Sequence, residues 1–139
     1  MSRWRRDERG SMAVEIVILA PVLFMFAMLV VAGGRYVGVE GDIEAAARDA
    51  ARAASLETTR SEAIAAASAT ASASFEDGDL DADCTTVVDP SNWGPDGSIR
   101  VVLNCSVPYD GLGLIGLPGS VDIEAESTVR LDPYRKYES

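Results

Sequence analysis

Histidine is absent from the 139 residues, and lysine occurs once, at Lys136. The commonest general base at neutral pH is therefore missing. The chain has two cysteines, Cys84 and Cys105, and no thiol is left over if they pair. No phosphate-binding glycine pattern follows a strand, and no serine has a base nearby in an interpretable motif. These absences exclude the usual catalytic constellations, and neither an enzyme nor a cofactor or metal centre is expected. Positive charge is also scarce. Twelve basic residues stand against 22 acidic ones for a net charge of −10, which argues against nucleic acid as a partner.

Long apolar runs are scarce too, with one exception. Met12 to Ala32 is apolar throughout except for Glu15. Twenty-one helical residues reach about 31 Å, enough for the hydrocarbon core of a bilayer. Before the run stand Arg3, Arg5, Arg6 and Arg9 against Asp7 and Glu8, while the rest of the chain carries the acidic excess. Short basic flanks stay in the cytoplasm. The expected topology is one pass, with a cytoplasmic N-terminus and an extracytoplasmic C-terminal part. A secretory signal peptide has a shorter apolar region, about 7–15 residues, ending at a small-residue cleavage site. Here the run is longer and helical patterning continues past it.

Glu15 is unusual for a plain anchor. At the centre of a membrane an acid costs roughly 2.5–3.5 kcal/mol, and less near the interface. It either snorkels to the cytoplasmic surface or meets a partner. A cut after Gly10 would make Ser11 a new, positively charged amino terminus. A neighbouring subunit's terminus could then pair with Glu15 inside the apolar layer, where charges are weakly screened.

Arg9-Gly10-Ser11-Met12-Ala13-Val14-Glu15 resembles the class III leader of type IV prepilins: basic residues, a glycine, then glutamate fifth after it. Val14-Glu15-Ile16-Val17-Ile18-Leu19-Ala20-Pro21, then Gly33-Gly34-Arg35 and an Ala/Arg-rich helix, is similar to the TadE-like proteins of Tad (Flp-type) pilus systems. The stretch Val107-Pro108-Tyr109-Asp110 through Val129-Arg130-Leu131 looks like that family as well. The resemblance implies a minor pseudopilin in the bacterial cell membrane, part of a tight-adherence pilus for surface attachment. It also implies cleavage between Gly10 and Ser11 by a prepilin peptidase, an assembly role for Glu15, and other pilus or pseudopilus subunits as partners beside membrane lipid. Incorporation in the pilus itself stays open. An uncleaved, membrane-anchored extracytoplasmic binding module is the alternative. A major filament subunit fits less well, because Tad major pilins are much shorter.

In chain order, 1–10 form a basic cytoplasmic leader and 11–34 the transmembrane helix, starting near Ser11 as a cap. Pro21 lies in its interior and should kink it or loosen a turn. Gly33 and Gly34 mark the outer boundary, either kinking the helix or allowing close packing. An extracytoplasmic domain covers 35–131, and 132–139 form a polar, frayed tail. Tyr36, Val39, Ile43, Ala46, Ala50 and Ala53 recur at helical spacing, so the first helix continues to about Leu56. Glu44 and Arg48 form an i,i+4 pair in the favourable order. Thr59 with Glu62 reads as a capping box restarting a helix over about 60–74, whose only large apolar residue before Phe75 is Ile64. Burying so little area should leave that helix loosely held. Glu76 to Asp83 alternates carboxylates, but glycine and glutamate are missing from the sixth and twelfth positions of a calcium loop, so a solvated acidic turn is expected.

The remainder alternates with period two. Cys84, Thr86 and Val88 form one face, Ile99, Val101, Leu103, Cys105 and Val107 a second, and Val121, Ile123, Ala125, Val129 and Leu131 a third. Between the first two runs lies a turn-rich stretch, Asp89 to Gly97. A hairpin pairing Val88 with Val101 sets Thr86 opposite Leu103 and Cys84 opposite Cys105. The register that joins the apolar faces thus brings the cysteines together, and a disulfide is expected in an oxidising compartment. Pro108 to Ser120 is an apolar loop that covers the sheet edge or helix, or else meets another subunit or the membrane surface; Trp93 poses the same choice. The expected class is α+β: a long N-terminal helix, a short second helix and a three-stranded antiparallel, pilin-like sheet.

Overall fold

The computed structural model describes residues 7–78, 82–114 and 116–138, with side chains from Met12 onward in the first helix. Helix α1 runs Asp7–Ser55 and α2 runs Arg60–Asp77. Three strands follow, β1 (Asp83–Asn92), β2 (Ser98–Pro108) and β3 (Ser120–Arg130), with a 3-10 turn at Tyr109–Leu112. The sheet is antiparallel in the order β1-β2-β3, with β2 central. The class is α+β, as the sequence patterning predicts.

Helix α1 is 49 residues long, about 73 Å at the usual rise. Residues 7–10 are already helical. Ser11 is therefore a helix-interior position and not a cap. The helix continues through Pro21 without a break in assignment. A proline there leaves the carbonyl of Val17 without its i+4 donor. It also continues through Gly33 and Gly34, and a Cβ placed on either would meet nothing within 4 Å. Close packing within the chain is thus not what these glycines serve.

Beyond the apolar run, α1 is buried on two sides. Ile43, Ala46, Ala47, Ala50, Ala51 and Ala54 all belong to the core, facing both the sheet and α2. The stripe read from the sequence misses Ala47, Ala51 and Ala54, because a single stripe accounts for only one packing partner. Glu44 and Arg48 form their surface pair at 3.4 Å.

Helix α2 docks in a different way from that expected of a chain with one large apolar residue. Ile64 is 37% exposed, and Ala63, Ala67 and Ala71 are fully buried instead. Their i,i+4,i+8 spacing puts three methyl groups in line on one face, which lets two backbones approach closely. The helix ends three residues later than expected, at Asp77, taking in Phe75 as a partly buried neighbour of the core.

The cap of α2 is the one read from the sequence, with a variation. The Glu62 amide donates to Thr59 Oγ1 at 3.3 Å, and the Thr59 hydroxyl donates to Glu62 Oε2 at 2.8 Å. The glutamate thus holds the threonine side chain and not its backbone amide. Thr59→Ala should lower unfolding free energy by about 1 kcal/mol, the usual cost of losing such a cap. A urea titration of the full chain followed by far-UV circular dichroism would measure it. An unchanged midpoint would mean the α1–α2 contact alone fixes the start of this helix.

The sheet has the predicted register. Val88 pairs with Val101, Thr86 with Leu103 and Cys84 with Cys105. Ile99, Val101, Leu103, Cys105 and Val107 of β2 face the helices, as do Ile123 and Ala125 of β3. Opposite them the outer face is polar and carries Arg100 paired with Glu126 at 3.4 Å. At the β1 end, the Ser91 amide donates to Asp89 Oδ1 at 3.0 Å. That bond, with Arg100 across the ladder as a smaller influence, holds the Asp89 carboxyl below its ordinary range. Gly97 closes the hairpin where nothing larger fits: its Cβ would lie 2.0 Å from the Asn92 carbonyl oxygen.

The C-terminal residues are tied down and not frayed. Tyr137 stacks edge-on against Trp93 with ring centroids 5.1 Å apart, and the Trp93 indole donates to the Glu138 carbonyl at 3.1 Å. Glu138 N–H donates to Thr58 O at 2.9 Å, and Arg135 reaches the carbonyl of Leu56. The hairpin tip, the α1–α2 turn and the C-terminus therefore meet at one end of the domain. Trp93 is accounted for by this contact.

Candidate functional site

The predicted functional residues fall into two groups far apart in the fold. Gly10, Ser11 and Glu15 lie in the first turns of α1. Tyr36, where α1 first meets the core, is about 30 Å further along the helix axis. The structure does not bring Glu15 near any element of the domain; its side chain is exposed, as are all side chains from Met12 to Val31. An 18-residue window of this helix has a mean hydropathy of 2.8, and none of that window is buried in the rest of the chain. An uncovered apolar cylinder of this length has bilayer dimensions. A chain that buried α1 in a soluble core would cover these residues, and the described residues do not.

The second group is the disulfide. Cys84 and Cys105 are bonded, with Cα atoms 4.0 Å apart and a sequence separation of 21. The bridge ties β1, an edge strand, to the central β2. Cys105 is buried among Leu103, Val107 and Ile123, its neighbours along and across the sheet, while Cys84 is half-buried. With both sulfurs bonded, neither is a nucleophile or a metal ligand.

At the junction of helix and domain, Arg35 Nε donates to the Gly111 carbonyl at 2.8 Å. This ties the loop after β2 to α1 where the apolar run ends. The bond spans 76 positions, so no local pattern reveals it. Asp42 and Asp49, with Arg35, line an open groove between α1, the end of α2 and the loop. No cluster of described residues has the make-up of a metal site. The acidic stretch Glu76–Asp83 includes 79–81, which lie outside the described residues.

An apolar helix with a lone glutamate near its start thus runs unbroken into an Ala/Arg-rich packed segment. Residues 10–52 match the family of TadE-like proteins. The TadE-like segment begins at Gly10, takes in Glu15 and the whole apolar run, and ends one turn before α1 does. It thus covers the exposed part of α1 together with most of the buried part. Helix α2 and the sheet lie beyond it, so the match does not extend to the stretch from Val107 to Leu131. No curated protein and no solved structure matches the chain. The TadE-like family is associated with Tad pili, and the apolar part of α1 is suited to serve as the membrane anchor of such a protein.

Proposed function

We propose that the protein is a minor pseudopilin of a Tad pilus, non-enzymatic, held by one pass through the bacterial cell membrane with its domain outside. A prepilin peptidase would remove the leader between Gly10 and Ser11, and the mature protein would work beside other pilus subunits. One observation carries the reading: the TadE-like match starts at Gly10 and extends over an uncovered apolar helix of bilayer length. The basic leader and acidic remainder support the orientation. A disulfide in the domain suits an oxidising compartment on that side.

A second reading, an anchored binding module that is never cut, draws on the helical backbone at the proposed cleavage site. A peptide bond inside a helix has to unwind to enter a protease. Glycine lowers that barrier, because it is about 1 kcal/mol worse than alanine as a helix former. Gly10 is thus a point where α1 opens at little cost.

The two readings part on mass. Co-expressed with a prepilin peptidase, the protein should lose its first ten residues and start at Ser11, and Gly10→Leu should stay whole. Glu15→Gln should still be cut, yet crosslink less to pilus subunits in membranes, since losing one member of a buried ion pair costs about 3–5 kcal/mol. An uncut wild-type chain would favour the anchored module. Equal crosslinking of cut wild type and Glu15→Gln would remove any assembly role from Glu15.

A further inference from the structure

The loop between β2 and β3 is apolar to a degree that the core does not require. From Gly111 to Gly119 it has no ionisable residue, in a chain that is 24% charged. Leu112 is buried and seats the loop on the domain, but Leu117 is 55% exposed. Tyr109, Leu112, Leu114 and Val121 form one wall of a recess of about 640 Å³. The other wall is α1, through Phe24, Met25, Met28, Leu29 and Gly33.

That second wall decides what fills the recess. If the apolar run Met12–Ala32 spans a bilayer, the hydrocarbon ends near Ala32, and Phe24 lies about 12 Å deeper along the helix. The recess therefore extends from the loop down along this part of α1, whose side chains the rest of the chain leaves exposed. The loop's backbone is prepared for such a place. The Tyr109 amide donates to Gly119 O at 3.1 Å, Gly113 to Asp110 O at 3.0 Å, Leu114 to Tyr109 O at 3.0 Å and Leu117 to Leu114 O at 3.3 Å. Internal pairing of this kind is what a segment needs to leave water without orphaned polar groups. Arg35, clamped to Gly111, stands at headgroup level.

We propose that Leu112, Leu114 and Leu117 of this loop enter the headgroup–acyl boundary of the leaflet on the domain side, with lipid acyl chains filling the recess between the loop and α1. The proposal rests on the membrane-anchor reading above. The domain then has two membrane contacts, and its orientation to the surface is fixed.

The test uses the full chain in lipid vesicles with Trp4→Phe as background. Trp93 remains as an internal reference at the far end of β2 from the loop. Leu117→Trp adds a reporter on the loop, and Phe24→Trp a control inside the span. Lipids brominated at shallow or deep acyl positions serve as quenchers. The Leu117→Trp emission should shift to the blue and lose most of its added intensity to shallow bromines, with Phe24→Trp quenched by deep ones and Trp93 by neither. Quenching at Phe24→Trp with water-like, unquenched emission at Leu117→Trp would overturn the loop proposal and leave the anchor standing. A blue-shifted but unquenched Leu117→Trp would overturn it in favour of a second copy covering the loop. If neither reporter is quenched, the anchor reading fails and the loop proposal with it.

Discussion

The double variant Cys84→Ala, Cys105→Ala should unfold with about 3 kcal/mol less free energy than the wild type. The chain-entropy argument sets the magnitude: the bond closes a loop with a sequence separation of 21, and opening it returns that freedom to the unfolded chain. The structure says where the loss would be felt. β1 is an edge strand, hydrogen-bonded on one side to β2, and its inward face is only half-buried. Besides the bridge and one ladder, it is held by a modest contact with α2 and by Val88 against the core. Amide exchange should therefore accelerate in β1 first, while β2, paired on both sides, stays protected. Denaturant titrations of the full chain with and without reductant, beside the double variant, measure the total. Coincident curves for oxidised and reduced protein would mean that β1 is fixed by its ladder alone.

Ala67→Leu should be nearly as damaging, by the opposite route. Ala67 is the middle of the fully buried Ala63, Ala67, Ala71 row against α1. Adding a branched side chain there has to push two helix backbones apart, and overpacking of this kind costs about 1–3 kcal/mol, occasionally more. The upper end is expected, since the neighbours that would have to yield on α1 are themselves fully buried alanines. Ile64→Ala removes more apolar atoms from the same helix, but from a partly exposed position, and should cost well under half as much. Chemical denaturation of the two variants side by side decides the matter. If Ile64→Ala proves the more harmful, the small-residue contact is not what holds α2.

That comparison also marks the limit of what the sequence reveals. Alternation of apolar residues defined the strands, and the pairing of Val88 with Val101 then determined the cysteine partners, because a strand's two faces leave no freedom once one pair is chosen. The apolar run and the lone Glu15 were equally plain. Alanine is where legibility stops. It is equally at home on a wet helix face and in a tight helix–helix contact, so the row on α2 reads as weak amphipathicity and an expectation of loose docking. The C-terminus was misread for a related reason. Tyr137 looks like one aromatic in a polar tail until the fold carries Trp93 to it, 44 positions away in sequence. The Arg35–Gly111 clamp is a long-range bond that residue spacing does not encode.

The absence of any hinge between the exposed and buried parts of α1 has a mechanical consequence. The helix that would sit in lipid is the same rigid rod that carries the sheet, gripped by it from Ile43 to Ala54. Membrane helices tilt by about 20° on average. On a rod standing about 30 Å above the surface, such a tilt swings the outer end sideways by about 10 Å. With the apolar run in a bilayer, force applied to the domain would reach the midplane undamped and there meet Pro21, where one backbone bond is already missing. The compliant point of this lever lies inside the apolar run, some ten residues from Glu15's end of it and well away from the domain it carries.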